Sequence, residues 1–141
     1  MSKFLYRELK SLMLGELIGE GMSRKVYACK HDPDYVVKVE DRARMFQNVA
    51  EWEAWTWVRG TKKEKWLAPC LDISACGSIL LQRRAGPLRP QERPKTVPAF
   101  LTDVKRENFG YLDGHLVCFD YGTILSGFRD LSAKPKKTNF K

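Results

Sequence analysis

The sequence predicts an α+β fold with an antiparallel sheet. Three observations carry this. Apolar residues recur near period two on both sides of Gly19 and Gly21, and the β-branched run YVVKVE follows at 35–40. Residues 45–58 contain no Gly or Pro and set Val49, Trp52, Trp55 and Val58 at helical spacing. Late in the chain, YLDGHLVCFDYG reads as strand, Asp-Gly turn and strand.

In chain order, residues 2–13 place Phe4, Leu5, Leu9, Leu12 and Met13 on one helical stripe, with Ser2 as N-cap, and read as a short amphipathic helix. Residues 14–30 read as strand, glycine turn and strand. His31-Asp32-Pro33-Asp34 is a turn by composition, and the strand after it carries Lys38 in its apolar middle. The long helix stops at Gly60, with Trp52 and Trp55 on its core side and Trp57 exposed. Residues 66–74 and 76–86 read as two strands meeting near Ala75–Gly77. Residues 87–98 hold four prolines and read as a linker, with a short helix over Ala99–Leu101 at most. The last ten residues read as frayed. The chain divides into a helix (1–13), one domain (14–126) and a basic tail (127–141). Within the domain, strands and long helix fill 14–84, the linker 85–98, and a loop with its hairpin 99–126.

A length of 141 residues suits one domain with its own core. With 43% apolar and 30% charged residues, collagen-like, disordered and disulfide-scaffold classes are excluded. The start of the chain lacks the apolar core of a secretory signal, and no apolar run is long enough to span a membrane. Cys29, Cys70, Cys76 and Cys118 show no C-x-x-C spacing and read as free thiols of a cytoplasmic protein. The net charge of +8 suits an anionic partner. It is concentrated at residues 82–106, locally +5, and 127–141, locally +4. Charge is the sole support for a nucleic-acid partner, which is the weakest of the readings.

Four segments carry residue types that suit phosphate chemistry. Gly19-x-Gly21 lets a strand–turn–strand backbone approach a phosphate closely, although a plain hairpin would also use it. Lys38, inside an apolar strand, needs an anionic partner. Asp103, Lys105 and Asn108 stand close together in a loop. Asp120-Tyr121-Gly122 follows Asn108 by 12 residues, with the hairpin between.

In that order the segments resemble a protein kinase, over about residues 14–125. Leu17 to Val26 is similar to the glycine-rich loop G-x-G-x-x-G-x-V, with Arg24 in place of the third glycine. Val36-Val37-Lys38 resembles V-A-I-K. Asp103 to Asn108 has the spacing of the catalytic loop D-x-x-x-x-N, and Lys105 matches its serine/threonine-type variant. Asp120-Tyr121-Gly122 resembles D-F-G. The resemblance implies a kinase-like small lobe, an antiparallel sheet with one long helix, and a minimal, truncated second lobe. It implies ATP and Mg²⁺ as cofactors. Lys38 would hold the α- and β-phosphates beside Gly19 and Gly21, and its ion-pair partner would lie on the following helix. Glu51 suits better than Glu53, because Trp55 and Val58 share its helix face while Glu53 would place Thr56 and Gly60 there. Adenine would stack under Val26 and Val36 and bond backbone groups near Gln82 to Arg84, with Leu81 at the gatekeeper place. Asp103 would orient the acceptor hydroxyl and take its proton, Lys105 would offset charge on the moving phosphoryl group, and Asn108 and Asp120 would hold Mg²⁺.

The departures bear on activity. Leu101 and Thr102 replace the histidine and arginine of H-R-D, which argues against switching by phosphorylation of an activation loop. Only about 16 residues separate hinge from catalytic loop and 19 follow Gly122, so no large helical lobe is expected. The compact pattern resembles small kinase-like proteins of bacteria and their phages, and aminoglycoside phosphotransferases. Two functions stay open: a serine/threonine protein kinase, acting on host proteins if the source is a phage, and a binding module that blocks a partner without phosphoryl transfer. The uncovered small lobe implies a homodimer or a protein complex.

Overall fold

In a computed structural model, residues 3–40, 46–92, 94–123, 134–138 and 140 are described. The opening helix α1 (Lys3–Met13) runs directly into β1 (Leu14–Glu20). Strands β2 (Arg24–Cys29) and β3 (Tyr35–Glu40) follow, then the long helix α2 (Gln47–Val58), β4 (Cys70–Ile73) and β5 (Ile79–Arg83). These five strands form one antiparallel sheet in the order β1-β2-β3-β5-β4. No described helix is long and apolar enough to cross a membrane.

The register decides which side chains share a face, because directly paired residues of antiparallel strands lie on the same side. Val26 pairs with Lys38, Lys38 with Leu80, and Val36 with Gln82. Val26, Val36, Lys38, Leu80 and Gln82 therefore line one face. Leu81 pairs with Val37 and lies on the other.

Helix α2 begins without a capping side chain of its own. The buried carboxylate of Glu40, at the end of β3, accepts the backbone N–H groups of Gln47 (3.0 Å) and Asn48 (3.1 Å) instead. This satisfies two of the orphan donors of the first turn and puts a negative charge at the positive end of the helix. Asn48 adds bonds from its side-chain amide to the carbonyls of Lys38 and Gly77, both at 3.0 Å. The start of α2 is thereby fixed to the end of the lysine strand.

After β5 come β6 (Gly86–Pro87), β7 (Thr96–Pro98), a 3-10 turn at Arg106–Asn108, β8 (Phe109–Leu112), β9 (His115–Cys118) and β10 (Pro135–Lys137). β8 and β9 form the expected Asp-Gly hairpin, with β6 alongside. The short helix at Ala99–Leu101 does not form; those residues lie in a turn and an irregular stretch after β7. The frayed tail is a second correction. Pro135–Lys137 pairs with Thr96–Pro98 inside the proline-rich linker, and the Phe140 ring packs on Phe109 with centroids 5.0 Å apart. Two segments too short to hold structure alone are stabilised by each other and by this aromatic contact. Residues 124–133, within the hairpin end and tail boundaries expected above, lie outside the described residues.

One core joins these parts. Ala54, Trp55 and Val58 of α2 pack with Leu67, Cys70 and Leu80, and the same cluster continues through Leu101, Phe109, Cys118, Tyr121 and Phe140. The loop that carries Asp103 and the strand end that carries Asp120 are thus anchored on the core that holds the helix of Glu51.

Candidate active site

Lys38 is 2% exposed and donates to Glu51 Oε2 at 2.9 Å and to the carbonyl oxygen of Phe119. A buried lysine is costly unless it is paired and hydrogen-bonded. Here α2 supplies the carboxylate and the residue before Asp120 supplies the carbonyl. Glu53, by contrast, lies on the half-buried side of the helix. Burial alone would raise the Glu51 carboxyl. The charges of Lys38 and then Arg24, with their hydrogen bonds, overcome this and hold it at about 2. Burial and the neighbouring Arg24 charge lower the Lys38 ammonium, against the pull of Glu51.

Arg24 is the residue whose role the sequence did not reveal. It stands at the first position of β2, directly opposite Glu40, and its side chain is 4% exposed. Its guanidinium grips Glu51 through both terminal nitrogens (2.8 and 3.0 Å) and donates to Asn48 Oδ1 (3.0 Å) and Asp120 Oδ1 (2.7 Å). Burial opposes its charge, but Glu51 and Asp120 together push its pKa further up. The four charges Arg24, Lys38, Glu51 and Asp120 form a cluster with no net charge. The available signal was that a charged residue at a third-glycine position, leading into a half-buried strand, needs a carboxylate.

The Asp120-Tyr121-Gly122 turn is built onto α2. The Tyr121 backbone N–H donates to Glu51 Oε1 (2.7 Å), and its fully buried ring sends the hydroxyl to the Ala68 carbonyl (2.7 Å), with Cys70 Sγ at 3.1 Å. A phenylalanine would leave that buried acceptor unmet. Gly122 is required by close approach: a Cβ there would lie 2.9 Å from the Gln47 carbonyl oxygen. Cys70 and Cys118 are buried thiols, and burial raises Cys70 to about 12.

The Asp103 loop is tied to the same turn. Phe119 N–H donates to the Asn108 carbonyl (2.9 Å), and Asn108 Nδ2 donates to Asp103 at both its carbonyl (2.8 Å) and its Oδ2 (3.2 Å). Asp103 takes a left-handed conformation with φ 49, and Lys105 Nζ stands 3.4 Å from its Oδ2. The Asp103 and Lys105 side chains are both about half exposed, so the pair is open to an incoming molecule. Arg106 fastens the loop to the linker through the carbonyls of Glu92 and Arg89.

The structure brings together Lys38, Glu51, Asp103, Lys105, Asn108 and Asp120. Val26 and Val36 lie on the Lys38 face. Gly19 lies near the end of β1 and Gly21 opens the β1–β2 turn, and neither is required by packing among the described residues: a Cβ would meet Val26 at 3.6 Å in one case and the Arg24 carbonyl at 3.8 Å in the other. That leaves the turn open to a close-approaching ligand. Two expectations for the base-binding segment are corrected. Leu81 turns away from Lys38, and the β5 side chain on the site face next to Leu80 is Gln82, because strand residues alternate. Gln82 is fully buried, and its Oε1 has no hydrogen-bond partner among the described residues. The Arg84 N–H already donates to the Asp34 carbonyl at 2.7 Å and is not available to a base.

The donor chemistry suits a phosphate: Lys38 has a third N–H beyond its two bonds, and a Cβ at Gly19 or Gly21 would meet only ordinary van der Waals contacts. A resident Mg²⁺ does not fit the arrangement. Asn108 and Asp120 offer oxygens of the right kind, but Asp120 Oδ1 is held by a guanidinium, and no cluster of three His, Cys, Asp or Glu side chains occurs among the described residues.

No family model and no curated protein matches the chain. Among solved structures it is similar to the gentamicin–APH(2")-IIa complex, at 17% identity and a TM-score of 0.46, over 67% of this chain and 30% of that one. It is similar to the streptomycin–ATP–APH(2")-IIa ternary complex, at 18% identity and a TM-score of 0.45, over 63% and 30%. The third is ADP-bound aminoglycoside phosphotransferase APH(2")-Ib, at 18% identity and a TM-score of 0.46, over 63% and 30%. The chain spans about 30% of the length of each of these structures. Likeness of this degree does not assign a function, which has to come from the site itself.

Proposed function

We propose that the chain is an ATP-dependent phosphotransferase that moves the γ-phosphoryl group of ATP to a serine or threonine hydroxyl of a protein. The observation that supports this most is a continuous bonded path. It runs from the Lys38–Glu51 ion pair at 2.9 Å, through Phe119 and Asn108, to the half-exposed Asp103 carboxylate with Lys105 beside it. Few roles other than phosphoryl transfer need a buried lysine–glutamate pair and a half-exposed carboxylate fixed in the same frame.

In this reading the phosphates lie along the β1–β2 turn and take the remaining N–H of Lys38. Adenine lies against Val26 and Val36 on the Lys38 face of the sheet. The acceptor oxygen attacks the γ-phosphorus, the bond from that phosphorus to its bridging oxygen breaks, and ADP leaves. The hydroxyl proton passes to the Asp103 carboxylate, and Lys105 offsets charge on the moving group. Asp120 stays with Arg24, so no step is drawn through a metal.

Asp103→Asn keeps the size and hydrogen bonding of the side chain but removes the base. Transfer of label from γ-labelled ATP to protein should fall by roughly 10²- to 10⁴-fold. The second reading, a binding module without transfer, is favoured by one observation, the grip of Arg24 on Asp120. If the wild type binds ATP but transfers no label, that reading takes over.

A further inference from the structure

We propose that Arg24 is the resident cation of this site, supplying at Asp120 the charge that a divalent metal would otherwise bring, so that nucleotide phosphate is bound without a metal. The inference rests on the nucleotide reading above and adds the ion requirement to it.

A carboxylate near a triphosphate repels it unless a cation lies between them, and a divalent ion usually does this by bridging the two. Here the cation is part of the chain. The Arg24 guanidinium reaches Asp120 Oδ1 at 2.7 Å and is kept there by two bonds to Glu51 and one to Asn48. Asn48 is itself held by the carbonyls of Lys38 and Gly77, and Glu51 by Lys38 and the Tyr121 N–H. The groups around Asp120 thus fix Arg24 from the sheet, from α2 and from the Tyr121 turn. Removing the guanidinium would leave Glu51 and Asn48 short of partners in a dry site, so a metal cannot displace it cheaply. Any ion reaching the other oxygen of Asp120 would also face two fixed positive charges, Arg24 and Lys38. Asn108, the second expected metal ligand, donates its amide nitrogen to Asp103, so it has only its Oδ1 to offer an ion. With Asp120 already neutralised, the phosphates meet Lys38 and the glycine turn without needing a bridge.

The test has two parts, both on the full chain. Mn²⁺ is titrated into the protein without nucleotide and followed by the loss of free-ion paramagnetic resonance. The ATP-induced rise in melting temperature is then measured in Mg²⁺ and in EDTA. For the wild type, no stoichiometric Mn²⁺ binding is expected below millimolar concentration, and the ATP shift should be equal in both buffers. Arg24→Gln keeps length and polarity but removes the charge. It should bind Mn²⁺ at least about tenfold more tightly, lose that gain when Asp120→Asn is added, and show an ATP shift that EDTA abolishes. Micromolar Mn²⁺ binding by the wild type, or a wild-type ATP shift that vanishes in EDTA, overturns the proposal even if Arg24→Gln fails to fold. No ATP shift in either buffer overturns the nucleotide reading instead, and the Mn²⁺ titration then decides the role of Arg24.

Discussion

Glu51 receives donors from three segments: Lys38 on β3, Arg24 on β2 and the backbone of Tyr121. Only an ionised carboxylate can accept all of them, which makes stability depend on pH. Its folded pKa, about 2, lies below the unfolded value. The stabilisation is therefore complete above the unfolded pKa of about 4.3 and is lost as pH falls towards 2. Unfolding free energy measured by urea should drop between pH 5 and pH 2.5, and Glu51→Gln should flatten that part of the curve. Parallel curves for the two proteins would show that Glu51 is not the titrating group. The Lys38–Glu51 pairing was legible in the sequence, because a lysine in an apolar strand demands an anion, the kinase resemblance puts that anion on the following helix, and helical spacing chooses between two glutamates there. Arg24 was not, because its partners lie 24, 27 and 96 residues away and no local pattern joins them.

Among the elements, α2 decides whether the site is assembled. It carries Glu51, and its first turn is capped by Glu40 from the preceding strand rather than by a local Ser, Thr or Asp. Ser23 also donates to that carboxylate at 3.0 Å, so Glu40 ties the glycine turn to the helix start. Glu40→Ala should lower stability by about 1–2 kcal/mol in urea unfolding, as loss of a cap does. It should also weaken ATP binding, because the helix that positions Glu51 loses its anchor. Unchanged stability would mean the cap is dispensable. Five strands, the long helix and the late hairpin were legible from period and turn chemistry alone. β7 and β10 were not: a proline-rich run and a basic tail have no strand signature, and they are held by pairing with each other and by Val97 and Phe140 in the core.

At the scale of the whole molecule, the sheet, α2 and the Asp103 loop share one apolar cluster, which Phe140 closes from the far end of the chain. That continuity is why Lys38, Asp103 and Asp120 can hold fixed places although they lie on separate segments. It was only partly visible in the sequence. The alternating strands and the Trp52–Trp55 face marked part of the core, while Leu101 sits in a segment that read as a short helix, Tyr121 at the end of the hairpin and Phe140 in the tail. The central claim is that this frame is a triphosphate site centred on Lys38. The measurement that tests it most directly is a calorimetric titration of ATP into the wild type and into Lys38→Met, with circular dichroism confirming that both are folded. The account predicts measurable binding by the wild type and a loss of roughly tenfold or more in affinity for Lys38→Met, about the worth of one charge-assisted hydrogen bond. A folded wild type that releases no heat at millimolar ATP, or equal affinities for the two proteins, would contradict it.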